Sequence, residues 1–332
     1  MNSDWIAFLQ SKGARLTDDR HIEFSPSTPN TIEERLYPVT HLTTFKVSGD
    51  DASTFLQGQL TCNINDLTDD QAGFAAYCNA KGRVISNLLI CRQHDAFIVI
   101  LPTSLLDKVI NKLRMYILRA KVTLTREAEN LCLLGLNSKH PSVANITLPV
   151  NNYQVTKGDP HIIKLPSPSP RYLILADLDH AKRFWSQTVD SQILQKGDSN
   201  LWSYQDLSAG IPWFDESVSE QYIPQMLNVD KLGGISFNKG CYTGQEIVAR
   251  THYLGKAKRE LYLAECSNAE IIDRDTTIID GDNGESSAKI VAFCCLGQTC
   301  RLLLVMPTSD SDQKTLVLNN SSQDKITLIP FQ

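Results

Sequence analysis

The sequence predicts an α+β protein whose mixed core gives way to an all-β tail, and three observations carry that prediction. Through residue 255, helix-period and strand-period segments follow one another without the regular β-α-β rhythm of a doubly wound sheet. From residue 261 onward, six short strand-like runs are separated by Gly, Asp, Asn and Ser, with no helical pattern between them. At 332 residues the chain also exceeds one ordinary core, so two or three units share the fold. The expected division is a core over 1–255, with intertwined parts at 36–136 and 137–255, and a closed or half-closed antiparallel β-barrel over 256–332.

Each element has a local cause. Residues 50–60 read as a short helix, with Asp50 as N-cap and Ala52, Phe55, Leu56 and Gln59 on one face. Asn79-Ala80-Lys81-Gly82 is a turn leading into apolar strands at 84–90 and 97–101. Ser104 opens a second helix whose stripe is Leu105, Val109, Leu113 and Tyr116. Residues 121–124 and 131–136 are further strands, and 137–170 is a loop-rich excursion ending in Pro166-Ser167-Pro168-Ser169-Pro170. A strand at 172–176 precedes helices at 179–188 and 200–209, the second stopped by Gly210 and Pro212. The tail strands are read at 261–264, 276–279, 290–296, 302–305, 316–318 and 326–329.

The densest chemical signal is Phe237-Asn238-Lys239-Gly240-Cys241-Tyr242-Thr243-Gly244-Gln245-Glu246. Thr243-x-x-Glu246 fits a capping box, which puts Cys241 just before a first helical turn, where free N–H groups favour an anion. With Lys239 beside it, the pattern predicts a thiol of lowered pKa; Gly240 and Gly244 suit a positive φ or close approach of a ligand. The same spacing also suits a glycine-rich turn whose cysteine is merely packed.

Composition bounds the function. The formal charge of −5 argues against an extended nucleic-acid footprint. Residues 231–260 nevertheless hold six basic residues, Lys256 among them, against two glutamates, which suits a small anionic ligand. No signal-like or membrane-length apolar run is present, and the nine cysteines form no C-x-x-C pair; cytoplasmic, reduced thiols are expected. Cys294, Cys295 and Cys300 lack a fourth well-spaced ligand, so no metal is expected.

The signature, read with Gly210-Ile211-Pro212, Ile223-Pro224-Gln225-Met226 and Leu232-Gly233-Gly234-Ile235-Ser236-Phe237 before it, resembles the YgfZ family of folate-binding proteins. These are relatives of the glycine cleavage system T-protein. Phe55-Leu56-Gln57-Gly58-Gln59-Leu60-Thr61 and Asn79-Ala80-Lys81-Gly82-Arg83 are weaker echoes of the same pattern. The resemblance implies a core of ferredoxin-like units plus a C-terminal β-barrel around a central hole that holds tetrahydrofolate or a one-carbon derivative. It implies support of iron–sulfur enzymes, tRNA-modifying ones among them. Its partners would be the folate and iron–sulfur enzymes or assembly factors; the composition adds no membrane and no stable direct nucleic-acid contact, and a monomer is the default where the sequence does not give the oligomeric state.

Residue by residue, the resemblance makes Trp202 a folate contact, although a tryptophan on a helix face is ordinarily core. It brings Leu42 to a second tryptophan position, where an apolar wall replaces a stacking face. Cys241 and Lys239 become the functional pair. T-proteins carry an aspartate where this chain has Asn63, and an amide cannot exchange a proton near neutral pH. Aminomethyl transfer by that route is therefore not expected. The alternatives are a folate-dependent one-carbon transferase, a cysteine catalyst using His252 as base, and a folate-stabilised scaffold.

Overall fold

The computed structural model describes residues 2–17, 21–24, 34–126, 131–156, 158–255, 257–267, 272, 276–309, 315–320 and 323–332. Three large sheets organise them. The first is antiparallel, in the order Gly73–Cys78, Val84–Gln93, Ala96–Pro102, Leu42–Ser48 and Thr123–Arg126. The second is mixed: His161–Leu165, Arg171–Asp177, Leu131–Asn137, Arg35–Pro38 and Gln195–Lys196, the last pair parallel. The third gathers the six tail strands into a curled antiparallel half-barrel, whose two end strands approach each other at a Val317–Lys325 bridge.

Six α-helices are described: α1 (Ser3–Ser11), α2 (Ala52–Gln57), α3 (Leu106–Arg114), α4 (Leu178–Trp185), α5 (Ser199–Ser208) and α6 (Gln245–Leu254). Burial explains their placement. α3 turns Leu106, Val109, Ile110 and Leu113 onto the first sheet, at helical spacing. α1 and α4 cover the second sheet through Trp5, Leu9, Phe184 and Trp185. α5 lies between the second and third sheets, and one apolar core runs through all three, from Phe45 and Leu173 to Trp202, Val291 and Leu303.

Several expectations shift. The N-cap position of α2 is Asp51, not Asp50. Neither carboxylate caps the helix: Asp51 accepts the Lys121 N–H at 2.7 Å and Asp50 pairs with Lys121 Nζ at 3.0 Å. A 3-10 turn over Thr103–Leu105 replaces the first turn expected from Ser104, and Tyr116 falls outside α3, 45% exposed. The thiols are not all reduced. Register across the hairpin of Ser286–Leu296 and Thr299–Pro307 sets Cys295 opposite Cys300, and the two form a disulfide. Among the described residues, no helix is long and apolar enough to cross a membrane.

Candidate functional site

Sequence-distant motifs meet around the signature loop. In the Asn79–Gly82 turn, the Asn79 side chain accepts the N–H groups of Lys81 and Arg83, and Gly82 sits at φ 66°. Gly244, at φ 83°, packs on that turn; a Cβ there would lie 2.5 Å from the Asn79 carbonyl oxygen and 2.9 Å from Gly82 Cα. Only glycine answers both the left-handed backbone and the close approach. On the other side Thr243 N–H donates to Gly58 O, Ser236 N–H to Thr61 O, and Thr61 Oγ1 to Gly234 O. The three family-like segments are thus one stitched unit.

This docking overrides the capping box. Gly244, not Thr243, is the N-cap of α6, and Tyr242 N–H donates to Gln245 Oε1. Cys241 stands three residues before the cap and is exposed, the one free cysteine of seven that is not buried. Lys239 does not offer it a free cation. Its Nζ donates to the carbonyls of Gln57, Leu60 and Cys62, each at 2.7 Å, which uses all three ammonium protons. Two of those carbonyls belong to the end of α2 and the turn after it, where helical acceptors lack partners. Burial lowers the Lys239 pKa to about 8. Gly240 takes no left-handed φ, and a Cβ on it would meet nothing within 4 Å, so open space flanks Cys241.

A cavity of about 830 Å³ lies where the three sheets meet. α5 supplies Ser203, Asp206 and Leu207, a helical face at i, i+3 and i+4. The link between the first two sheets supplies Thr40 and His41, and the loop after Gly210 supplies Trp213 and Phe214. The third sheet closes it with residues 290–294, where a register shift between Ile290 and Ala292 re-aims the side chains.

Its polar core is a short network. Arg171 Nη2 donates to Asp206 Oδ1 at 2.6 Å, both groups buried, and the guanidinium lies 4.1 Å over the Trp202 ring. His41 Nδ1 is 3.3 Å from Ser203 Oγ, and His41 Nε2 is 3.6 Å from Asp206 Oδ2. Those last two atoms, His41 Nε2 and Asp206 Oδ2, are buried without a hydrogen-bond partner. A dry carboxylate oxygen without a hydrogen bond is costly, and on a cavity wall it suits the N–H donor of a ligand.

Trp202 does not line this cavity. It is fully buried beneath the α5 face, against Tyr37 and Gly135, with no ring surface open. Leu42 is buried as well. The tryptophan that reaches the cavity is Trp213, half-buried and tilted on Phe74 at 5.5 Å. Nor do lysine or arginine side chains stand among the described lining residues, so the basic run 231–260 does not face the cavity; Lys256 lies outside the described residues. Asp206, His41 and Trp213 escaped the sequence reading. One signal was available: Asp206 is the only charged residue of α5.

A second cavity, about 560 Å³, opens on the other side of Phe74, lined by Cys62, Asn63, Asp66, Phe237 and His252 among others. A 3-10 turn over Ile64–Asp66 folds Asp66 back so that Asn63 Nδ2 donates to its carboxylate at 2.7 Å. His252 is stacked on Phe237 with ring centroids 3.7 Å apart, and Cys241 makes no hydrogen bond to it.

Comparisons with known proteins bear on the family and the fold. A family model described as the GCVT N-terminal domain matches residues 34–139. The chain is 35% identical over 320 residues to the tRNA-modifying protein YgfZ of Escherichia coli O157:H7 (strain EC4115 / EHEC), covering 93% of this chain and 97% of that one. It is 32% identical over 298 residues to the protein of that name from Klebsiella pneumoniae (strain 342), covering 86% and 89%. Among solved structures, the glycine cleavage system aminomethyltransferase T from Bartonella henselae matches with a TM-score of 0.77 at 13% identity, over 98% of this chain and 96% of that chain. That likeness speaks for the fold.

Proposed function

The chain belongs to the YgfZ family, and from that premise we propose that it binds a reduced folate in the larger cavity and acts in tRNA modification by supporting iron–sulfur enzymes. The observation that carries the ligand reading is Asp206 Oδ2 in the cavity wall, 3.6 Å from His41 Nε2 and without a hydrogen bond. A reduced pterin offers adjacent N–H donors on one edge and a flat face for stacking. Asp206 and His41 would hold the polar edge, while Trp213 and Phe214 would cover the apolar rings. The cavity volume of about 830 Å³ falls within the range of small-molecule sites. Bound tetrahydrofolate would supply a one-carbon carrier; the residues of this chain bind and orient it.

Trp202 enters this reading as the support beneath α5 that fixes Asp206 through Arg171, not as the stacking face. Cys241, exposed beside open backbone, is the group offered to an iron–sulfur enzyme or assembly factor.

Tetrahydrofolate titration followed by tryptophan fluorescence tests the ligand and its place together. Trp5, Trp185 and Trp202 are at most 2% exposed, so the signal should come from Trp213 and vanish in Trp213→Phe. Saturable quenching that persists in Trp213→Phe moves the ligand elsewhere, and no binding at all ends the reading. Cys241→Ser should keep folate affinity while client iron–sulfur enzyme activity falls.

A further inference from the structure

We infer that the third sheet carries a thiol–disulfide exchange site, in which the buried Cys266 thiol takes over the Cys295–Cys300 bond and releases Cys295 as a half-exposed thiol. This role goes beyond the folate reading and stands without it. The ladder sets the three cysteines in one row. Cys295 on Ser286–Leu296 is paired with Cys300 on Thr299–Pro307, and Cys300 is paired on its other side with Cys266, the last residue of the strand Arg259–Cys266. Cys300 therefore has a cysteine opposite it on both neighbouring strands.

Register also fixes the direction of the side chains. Residues directly opposite each other in an antiparallel pair point to the same face. Cys266 and Cys300 accordingly share one buried cluster, and Cys295 packs against it. Cys294 belongs to the other face: it lines the larger cavity and its thiol donates to Asn200 O at 3.2 Å. Opposite residues of such a ladder have Cα atoms about 4.5 or 5.5 Å apart, and disulfides span Cα separations of about 4.4–6.8 Å. The Cys266–Cys300 pair is thus in bridging range, as Cys295–Cys300 already is. Packing alone asks for small apolar residues here, not for three cysteines in one register row.

The step needs no outside oxidant or reductant. Cys266 gives up its proton, and its sulfur attacks Cys300 Sγ. A Cys266–Cys300 bond forms, the Cys295–Cys300 bond breaks, and Cys295 leaves with the electron pair and takes up a proton. The row holds one disulfide and one thiol before and after. What changes is access. Cys266 is 1% and Cys300 0% exposed, whereas Cys295 is only half-buried. Exchange therefore shelters the bond in the core and brings the thiol to the surface. There a small external disulfide can cap it: Cys295 sulfur bonds to one of its sulfurs, and the other leaves as a thiol.

The test uses the full-length protein, oxidised with glutathione disulfide, which is then removed. N-Ethylmaleimide is added under native conditions, and acid-quenched time points are digested with trypsin and mapped by mass spectrometry without reduction. Cleavage after Lys289 and Arg301 keeps Cys295 and Cys300 on one peptide, and cleavage after Arg259 and Arg274 puts Cys266 on another, so the exchanged bond reads as a cross-linked pair. The expected result is a cross-linked pair that grows with time as Cys295 acquires the label, because alkylation traps the released thiol. Cys294→Ala, which removes the third cysteine of the first peptide, should behave like the wild type. Cys266→Ala should lose both the cross-link and the label on Cys295. Cys295→Ser, treated with glutathione disulfide, should form the Cys266–Cys300 bond directly as the glutathione is reduced to two thiols. A bond that stays on Cys295–Cys300 with Cys295 unlabelled would overturn the inference. So would label on Cys295 that persists in Cys266→Ala, or a Cys295→Ser protein that forms no Cys266–Cys300 bond.

Discussion

Lys239 Nζ lies 2.7 Å from the carbonyl oxygen of Gln57, and the same ammonium reaches Leu60 O and Cys62 O at the same distance. The signature lysine therefore closes the end of α2 rather than standing as a free cation beside the signature cysteine. The distinction matters, because a loss of activity on mutating Lys239 reads as catalysis when its first effect is structural.

Lys239→Met should destabilise the fold by about 2–4 kcal/mol, since it strands carbonyls that water reaches only in part. Lys239→Arg should not restore the loss, because a planar guanidinium cannot aim three donors at three converging acceptors. Urea denaturation measures both. A midpoint unchanged in Lys239→Met would return the lysine to a chemical role.

The two glycines flanking Cys241 should behave oppositely. Gly244→Ala meets the Asn79 carbonyl in a left-handed backbone and should cost at least about 3 kcal/mol. Gly240→Ala meets nothing and should melt within about 0.5 kcal/mol of wild type. If Gly240→Ala keeps the melting curve yet impairs client iron–sulfur enzymes, the open space beside Cys241 is used by a partner. Thermal melts of the two variants, side by side, decide it.

Thiol chemistry should divide along burial. Iodoacetamide on the native protein should label Cys241 and spare the buried thiols, with mass spectrometry of the digest as readout. Burial pushes Cys62 and Cys91 up to about 12, against an ordinary value of 9.0. Above pH 9 the unfolded chain ionises these thiols while the folded one keeps them protonated. The stability they contribute is full below pH 9 and declines toward pH 12, each thiol removing up to about 1.4 kcal/mol per pH unit. Cys91→Ala should flatten the alkaline limb of a denaturation-versus-pH series; an unchanged slope would refute the assignment.

What the sequence could disclose of all this depended on range. The strands at 84–93 and 96–102 and the six strands of the tail were legible because short apolar runs and the turn residues that bound them are local. The stop of α5 at Gly210 was legible for the same reason. The N-cap of α6 was not, because Thr243-x-x-Glu246 satisfies a local rule that docking on Gly58 and Gly82 overrules. α5 was found, but not its face toward the cavity. It buries Leu201, Trp202, Gln205 and Leu207 on several sides, so no apolar stripe distinguishes one direction. Only pairing with Arg171, a residue from a distant strand, fixes Asp206 at the wall. The Cys295–Cys300 disulfide depends on hairpin register, which five residues of spacing do not specify. α1 was missed although Asn2, Trp5 and Leu9 carry its cap and its stripe.

The Arg171–Asp206 pair offers the sharpest separation of structure from ligand binding. Both side chains are nearly dry, and removing one partner leaves an uncompensated buried charge, so Asp206→Asn should cost about 3–5 kcal/mol. Such a variant loses folate for a trivial reason. Replacing both, as Arg171→Met with Asp206→Leu, removes the charges together and should recover most of that stability. If the carboxylate also holds the pterin edge, the stable double variant should still bind tetrahydrofolate roughly 10- to 100-fold more weakly, the scale of a lost charge-assisted hydrogen bond. Calorimetric titration of the double variant is the decisive measurement. Recovery of affinity along with stability would reduce Asp206 to a purely structural partner of Arg171 and leave the cavity without its anchor.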